Sequence, residues 1–494
     1  MNRRLLLALG VIAVIAGLAH ARPGGGDTYS GGGGHGGGGG GGGGDGGARV
    51  VFELIYWLIR LIIYSPAIGI PLLGIVIGFV VYSAYRQQKN KDWDSGPPVT
   101  LKRAASLDPL RRVDPEFSQV LFEDFAFRMF STANRARHTQ EALATLAPYV
   151  SPAAQQQLHL RTPGELVESV VVGAMRTFRV DVPKTPVDEQ GRPHRMRIGI
   201  EYEANVTTEA ATYYTVETWL FGRDATRVSK PPGATKGFPC PNCGAPWQAS
   251  ASGTQVCASC NEVVDNGRFD WVVEMVALSS SDERPPTVTE EVEERGTDLQ
   301  TYRQPDVDHQ WASLEADDPA LTETNLVARL SLIHKQLNTE WSANELTSVR
   351  GLVSDGLFDY LQYWVDTYKK QGMRNQLNDM SITHTIVAKV GRDKWYDAVT
   401  IRLWATGKDF VVKSATGDLV RGSKSSPRPY TEYWTLIRSR SRRGAPIATP
   451  NCSNCGAPLQ ITMSGECEHC HTHITSGEFD WVLSKIEQDD TYRG

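Results

Sequence analysis

Between residues 196 and 206 the apolar side chains fall on every second position. Met196, Ile198, Ile200, Tyr202, Ala204 and Val206 alternate with Arg197, Glu201, Glu203 and Asn205. A period of two predicts a half-buried strand. The stretches 395–404 and 409–413 follow the same rule about two hundred residues later. Upstream of each strand the period is that of a helix. Phe117, Leu121, Phe125 and Met129 form one apolar stripe, and Leu326, Leu330, Ile333 and Leu337 form another. Asp114-Pro115 and Asp318-Pro319 precede these stripes, and each predicts a helix cap with proline at the first helical position. Ser151 and Ser354 are predicted to cap one more helix in each stretch. Downstream, Glu217, Trp219 and Arg223 recur with identical spacing as Glu432, Trp434 and Arg438. The sequences FDWVVEMV and FDWVLSKI, carrying Trp271 and Trp481, then predict a last strand in each stretch. The pattern is a repeated unit of helices, antiparallel strands and a final strand.

The N-terminal pattern is different. Residues 1–21 combine a basic start, an apolar run and an Ala19-His20-Ala21 cleavage pattern, which predicts a secretory signal. Residues 22–49 are dominated by glycine and are expected to be disordered. Residues 50–64 contain Glu53 and Arg60 on one helical face, which predicts an interfacial helix ended at Ser65-Pro66. Residues 66–85 contain no charge, and a 20-residue helix is long enough to span a hydrocarbon core of about 30 Å. Gly74 and Gly78 are four apart on this helix. They fit a homo-oligomeric packing face, or glycine merely tolerated in a membrane helix. Arg86, Lys89 and Lys91 open a basic stretch over 86–112 that ends with Arg111 and Arg112. By the positive-inside rule that end faces the cytosol. The expected location is a bacterial inner membrane, crossed once, with the C-terminal domains cytoplasmic.

Composition adds one decisive feature. All eight cysteines fall in two clusters: Cys240, Cys243, Cys257 and Cys260, then Cys452, Cys455, Cys467 and Cys470. Paired CxxC knuckles at this separation suit one tetrahedral Zn2+ held by four thiolates, so two structural Zn2+ ions are expected. Adjacent knuckles rarely pair so regularly as disulfides, and no βαβ pattern supports a redox motif. His469, His471 and His473 crowd the second cluster and are expected at its surface. A cytosolic placement supplies the reducing compartment that thiolates require. Each cluster lies between the Glu-x-Trp strand and the FDW strand, so a zinc ribbon is expected as an insertion in the last hairpin of each unit. The expected domains are 113–278 with a ribbon at 238–262, an acidic linker over 279–316, and 317–488 with a ribbon at 450–473.

The sequence DLVRGSKSSPRPYTEYWTLIR (418–438), with Glu432, Tyr433, Trp434, Thr435 and Arg438, followed by the tryptophan strand, resembles the translocase-of-inner-membrane subunit 44-like domain. The second unit carries the resemblance better than the first. With the repeat and the cysteine clusters read above, the chain is taken as a bacterial protein with two units resembling that domain, each with an inserted zinc ribbon, whereas the family is usually single and usually lacks such ribbons. The resemblance implies an α+β fold of two cone-shaped units, in which helices wrap a curved antiparallel sheet of the cystatin and nuclear-transport-factor type. In mitochondria that family tethers an import motor and contacts anionic lipid. The function it implies here is a membrane-anchored binding or scaffold protein that holds a protein or lipid partner at the inner leaflet.

The net charge of −5 gives no global attraction to nucleic acid, and neither cysteine cluster contains a lysine or arginine, so no nucleic-acid partner is expected. Arg86, Lys89, Lys91, Arg111 and Arg112 are candidate contacts to anionic lipid, worth about 1 kcal/mol each beside a charged leaflet. Arg438, Arg440, Arg442 and Arg443 are further candidates, or else they merely keep a loop solvated. No nucleophile motif, HExxH or phosphate loop is present. Asp181, His194 and His384 are the single residues that an alternative hydrolase or isomerase, working in the cone pocket, would draw on.

Overall fold

In a computed structural model of the chain, the period-two stretch at 196–206 is the middle of a longer strand, β2 (Arg195–Thr208). The structure describes residues 105–494 except 162–163, 232–237, 249–254, 284–298, 445–450, 453, 463–464, 472–473, 475–476, 490–491 and 493. Of the first 104 residues it describes 61, 64–66, 68, 71–74 and 78. The expected signal, the glycine-rich segment, nearly all of the interfacial helix, most of the 66–85 span, and Arg86, Lys89 and Lys91 lie outside the described residues. The described positions from 61 to 78 are helical apart from Ser65. Among the described residues no helix is long and apolar enough to cross a membrane.

From residue 105 onward the architecture is mixed α+β with two antiparallel sheets. The first follows four helices: α1 (Asp108–Val113), α2 (Gln119–Ala136), α3 (Gln140–Ala144) and α4 (Pro152–His159). Its strands are β1 (Val167–Asp181), β2, β3 (Thr212–Asp224) and β4 (Val272–Glu283), hydrogen-bonded in sequence order. The second follows α5 (Val307–Asp317), α6 (Glu323–Ser342), a 3-10 turn (Thr347–Leu352) and α7 (Asp355–Lys370). Its strands are β5 (Met373–Arg392), β6 (Tyr396–Lys413), β8 (Arg428–Ser439) and β9 (Val482–Gln488) in that order. A short β7 (Leu419–Gly422) pairs with the end of β6. The two stretches expected at 395–404 and 409–413 are therefore one continuous strand.

The sheets share a register. Ile200 lies opposite Trp219 in the first, and Ile401 lies opposite Trp434 in the second. Alternate residues of β2 (Ile198, Ile200, Tyr202) and β6 (Val399, Ile401, Leu403) are buried against helices, which is why period two appears so clearly there. In both sheets the last hairpin is interrupted. The first cysteine cluster lies between β3 and β4, and the second between β8 and β9, as expected from the motif order.

The helix starts differ from expectation. Asp114 and Asp318 do not open helices. Asp114 follows the end of α1, and Asp318 follows the end of α5. The helices begin five residues later, capped by the Ser118 and Thr322 hydroxyls, which accept from the N–H groups of Leu121 and Asn325. Ser151 and Ser354 do cap α4 and α7. In α2 the buried face is Phe122, Ala126, Met129, Phe130 and Ala133. Val120 and Leu121 point elsewhere: they pack on Tyr396, Ile437 and Val482 of the second sheet. In return, Val171 of β1 joins the core built around α6 and α7. Polar contacts seal the same junction. The Ser118 hydroxyl donates to Asp393 at 2.8 Å, the Trp395 indole N–H donates to the Glu116 carbonyl at 3.1 Å, and Lys485 pairs with Glu123 at 2.8 Å. The acidic linker expected over 279–316 is shorter than that range, because β4 runs on to Glu283 and α5 begins at Val307.

Candidate metal centres

Each cysteine knuckle folds for a local reason. Gly244 and Gly456, just after the first CxxC of each cluster, adopt φ of +75° and +73°. A left-handed residue here turns the chain back, so that the N–H groups of Gly244 and Gly456 donate to the carbonyls of Cys240 and Cys452 at 2.9 Å. The second knuckles end the same way. Asn261 and His471 both sit at φ +56°, and their N–H groups donate to Cys257 and Cys467 at 2.8 Å. Asparagine tolerates this conformation well. His471 is therefore a turn residue whose side chain is exposed. His469 is exposed too, while His473 lies outside the described residues.

These turns bring the eight cysteines together in two groups of four, with the sulfurs of each group within 4.8 Å of one another. In the first group Cys240 and Cys260 are 3.8 Å apart, as are Cys243 and Cys257. In the second, Cys452 and Cys470 are 3.7 Å apart and Cys455 and Cys467 are 3.9 Å apart. Four sulfurs ~2.3 Å from one tetrahedral ion stand ~3.8 Å from each other, so both groups fit that geometry. A disulfide needs ~2.05 Å, and every cysteine is free. In each group two sulfurs belong to buried residues, one to a half-buried and one to an exposed residue. The thiols are unlike in their metal-free state. Burial pushes Cys240 up to about 12, against the backbone N–H groups of Cys243 and Asn242. Burial also opposes ionisation of Cys257, but the N–H groups of Cys260 and Ser259 together with the neighbouring Cys240 and Cys260 thiols bring that thiol down to about 6. A metal ion binds thiolates, so it makes all four equivalent acceptors and releases protons.

Each ribbon has a small apolar floor of its own. Val264, Phe269 and Trp247 pack on the first site, and Ile474, Leu459, Ile461 and Phe479 pack on the second. The first ribbon is also tied to the helices: the Tyr149 hydroxyl donates to the Pro239 carbonyl at 2.8 Å and the Trp247 indole to the Ala144 carbonyl at 3.3 Å.

The ends of each insertion are clamped by residues whose joint role the sequence did not reveal. Arg223, at the end of β3, is buried with its guanidinium 2.6 Å from Asp114 and 4.6 Å from the centre of the Trp271 ring. Arg438, at the end of β8, lies 2.9 Å from Asp318 and 4.6 Å from the centre of Trp481. Arginine precedes each ribbon, tryptophan follows it, and the aspartate comes from the start of the unit, so three distant segments meet beneath each site. Ser229 N–H also donates to Asp114 at 2.9 Å, and Gly444 N–H to Asp318 at 3.1 Å. The indoles of Trp219 and Trp434 donate to Glu217 and Glu432 at 2.7 and 2.8 Å. The repeated spacing of Glu, Trp and Arg thus marks two repeated sets of buried contacts, Trp to Glu and Arg to the distant Asp and Trp.

This corrects the lipid-facing assignment of Arg438 and leaves Arg443 the one exposed member of the second arginine group. Arg438 is 3% exposed and committed to Asp318. Arg440 donates to the Asp393 carbonyl and reaches Asp317 at 3.3 Å. Arg442 donates to the Phe479 carbonyl at 2.9 Å, and Arg443 to the Asp317 carbonyl at 3.1 Å while remaining exposed. Arg111 is half-buried and bonded to Gln119 at 2.9 Å, whereas Arg112 is exposed. Asp181, His194 and His384 are not brought together. Asp181 pairs with Arg179 at 2.7 Å, His194 bonds the Thr185 carbonyl at 2.8 Å, and His384 lies tilted against Trp404 in the other sheet, ring centres 5.0 Å apart.

Residues 308–447 match the family model of the Tim44-like domain. The match runs from α5 past β8 and stops before Cys452, leaving both cysteine clusters and the whole first unit outside it. No curated protein matches the chain. A solved structure described as "Ntf2 like protein involved in plasmid conjugation" is similar at 8% identity, covering 74% of this chain and 96% of that one. Its TM-score of 0.16 is too low for that likeness to carry any argument.

Proposed function

We propose that the chain is a membrane-anchored scaffold in which two helix-and-sheet units, each closed by a structural zinc ribbon, hold a protein or lipid partner at the cytosolic face of a bacterial inner membrane. The observation that carries this reading is the Tim44-like match over 308–447, a domain type associated with membrane and protein interactions. The uncharged stretch 66–85 and the basic stretch after it support the anchor and its orientation. The sharing of Glu, Trp, Arg and a four-cysteine insertion by both units supports descent from one duplicated unit. Cys240, Cys243, Cys257 and Cys260 would hold one Zn2+, and Cys452, Cys455, Cys467 and Cys470 the other. The ion supplies no chemistry beyond cross-linking, which closes a long insertion that its own small core holds weakly. For anionic lipid, Arg112 and Arg443 are the exposed members of the basic set among the described residues.

The test is topology in intact cells. A membrane-impermeant thiol reagent should reach a cysteine placed at Ser30 and fail to reach one at Gln190, which is exposed in the β1–β2 turn. Labelling at Gln190 would put the units outside and defeat the scaffold reading.

A further inference from the structure

The first unit buries a group of charges that the second unit lacks. Arg137 ends α2, Arg161 follows α4 and Glu217 lies in β3, so three elements meet beside the Trp219 indole. The arginines are 5% and 11% exposed, and Glu217 is wholly buried. Arg161 Nη1 pairs with the Glu217 carboxylate at 2.5 Å, while Trp219 donates to the other carboxylate oxygen. Arg137 Nη1 donates to the Asn134 side-chain carbonyl at 2.7 Å. Two donors are left over. Arg161 Nη2 and Arg137 Nε are closed to solvent and meet no acceptor in the protein. Among the described residues Glu165 also acts on Arg137, but it is half-buried and makes no hydrogen bond or ion pair with either guanidinium.

The buried balance is two guanidiniums, which do not lose their protons, against one carboxylate. Burial pulls the Arg137 guanidinium below its ordinary value; Glu217 opposes that and Arg161 adds to it. A buried cation without a counter-ion is costly, and the fold does not require this one. Counted from the caps, Ser118 against Thr322 and Ser151 against Ser354, the places of Arg137 and Arg161 are taken by Trp341 and Trp364. Trp341 donates to Asn375 at 2.7 Å, and Trp364 packs in the second core. Glu217 and Trp219 keep their equivalents in Glu432 and Trp434. A unit of this kind therefore closes with aromatic residues where the first unit spends two charges.

The surroundings are dry. Phe130 stacks on Tyr202 with ring centres 4.2 Å apart and lies 5.1 Å from Trp219. In such a setting a charge-assisted hydrogen bond is stronger than in water. What completes the group is one negative charge with two acceptor oxygens, the match for guanidinium donors. A dianion would leave excess negative charge beside Glu217.

We propose that Arg137 and Arg161 form a binding site for the carboxylate of a small monoanionic organic acid, with Glu217 holding Arg161 in position. This goes beyond the scaffold reading and depends on neither the membrane anchor nor zinc.

The probe is acetate, added to the purified full-length chain at constant ionic strength with chloride as the balancing anion. At ten times its Kd, acetate should raise Tm by about 3–6 °C. The resonance of 13C-labelled acetate should broaden when the chain is added, and Arg161→Gln should abolish both effects. Arg137→Lys keeps a cation but loses the planar fork. It should weaken binding about fivefold or more, so the outcome does not rest on the fold of the Arg161 variant. Phosphate acting as strongly as acetate, no broadening with the intact chain, or broadening that survives both substitutions overturns the proposal.

Discussion

Asp318→Asn is the sharpest test of the clamp beneath the second ribbon. The substitution keeps the shape of the side chain and removes its charge. Both partners of the Asp318–Arg438 pair are 4% exposed, and the charged atoms are 2.9 Å apart. Arg438 would keep its place over Trp481 with no counter-ion in a site closed to water. Stranding one member of such a pair costs about 3–5 kcal/mol. Asparagine retains an acceptor for Gly444 N–H, which puts the expected loss near the lower end, about 3 kcal/mol. For a folding unit of 150–250 residues each kcal/mol moves Tm by about 2–4 °C, so the unit should melt about 6–12 °C lower. Replacing both partners with apolar residues, Asp318→Leu with Arg438→Met, should recover most of that loss, and the cycle should show a large coupling. The control is Asp308→Asn. Its pair with Arg303 is as close, at 2.5 Å, but 79% and 46% exposed, and surface pairs contribute about 0–1 kcal/mol. Thermal unfolding followed by near-ultraviolet circular dichroism, with zinc present throughout, reads these variants and the two single substitutions that complete the cycle. If Asp318→Asn shifts Tm no more than Asp308→Asn does, the buried-clamp reasoning is wrong.

The glycines of the ribbon separate strain from clash. Gly456 has φ +73° with open space around a Cβ, so Gly456→Ala should cost only the left-handed penalty, about 1–2 kcal/mol. Gly477 has φ +79°, and there a Cβ would sit 3.0 Å from the Arg438 Cα and 3.1 Å from the Ile437 carbonyl, so Gly477→Ala should cost clearly more in the same denaturation assay. At the junction of the two sheets, burial holds the Glu487 carboxyl above its ordinary range despite Lys485 and Arg176. Its ionised form therefore penalises the folded state above that raised pKa, and the penalty disappears as pH falls below the unfolded value near 4.5. Glu487→Gln should stabilise the protein at pH 7 and confer no advantage by about pH 4, measured as Tm against pH.

What could be read in advance follows from where the signals were strong. The middle of β2 and of β6 has one face wholly in the core, so alternation survives in the sequence. The edge strands β1 and β5 escaped notice because their registers slip, at Val172/Ala174 in β1 and at Asn378/Ser381 in β5 among other places. Each slip inverts the alternation, and the middle of β5, from 378 to 387, is exposed or half-buried on both faces. Asp114 and Asp318 look like caps because aspartate before proline usually is one. Only the position of Arg223 and Arg438, more than a hundred residues away, makes them ion-pair partners. The IRSRSRRG run reads as a surface patch because charge is visible in sequence and burial is not. The two groups of four cysteines were legible residue by residue, since knuckle spacing fixes the sulfurs locally and needs no tertiary contact to be recognised.

Metal content is the most direct test of the central claim that each unit carries a four-thiolate zinc ribbon in its last hairpin. Elemental analysis of the purified, reduced chain should give two Zn2+ per molecule, falling to one in Cys467→Ser, with the eight thiols unreactive until the metal is chelated. A folded, reduced protein with no stoichiometric metal, or one whose cysteines are recovered as disulfides, would contradict it.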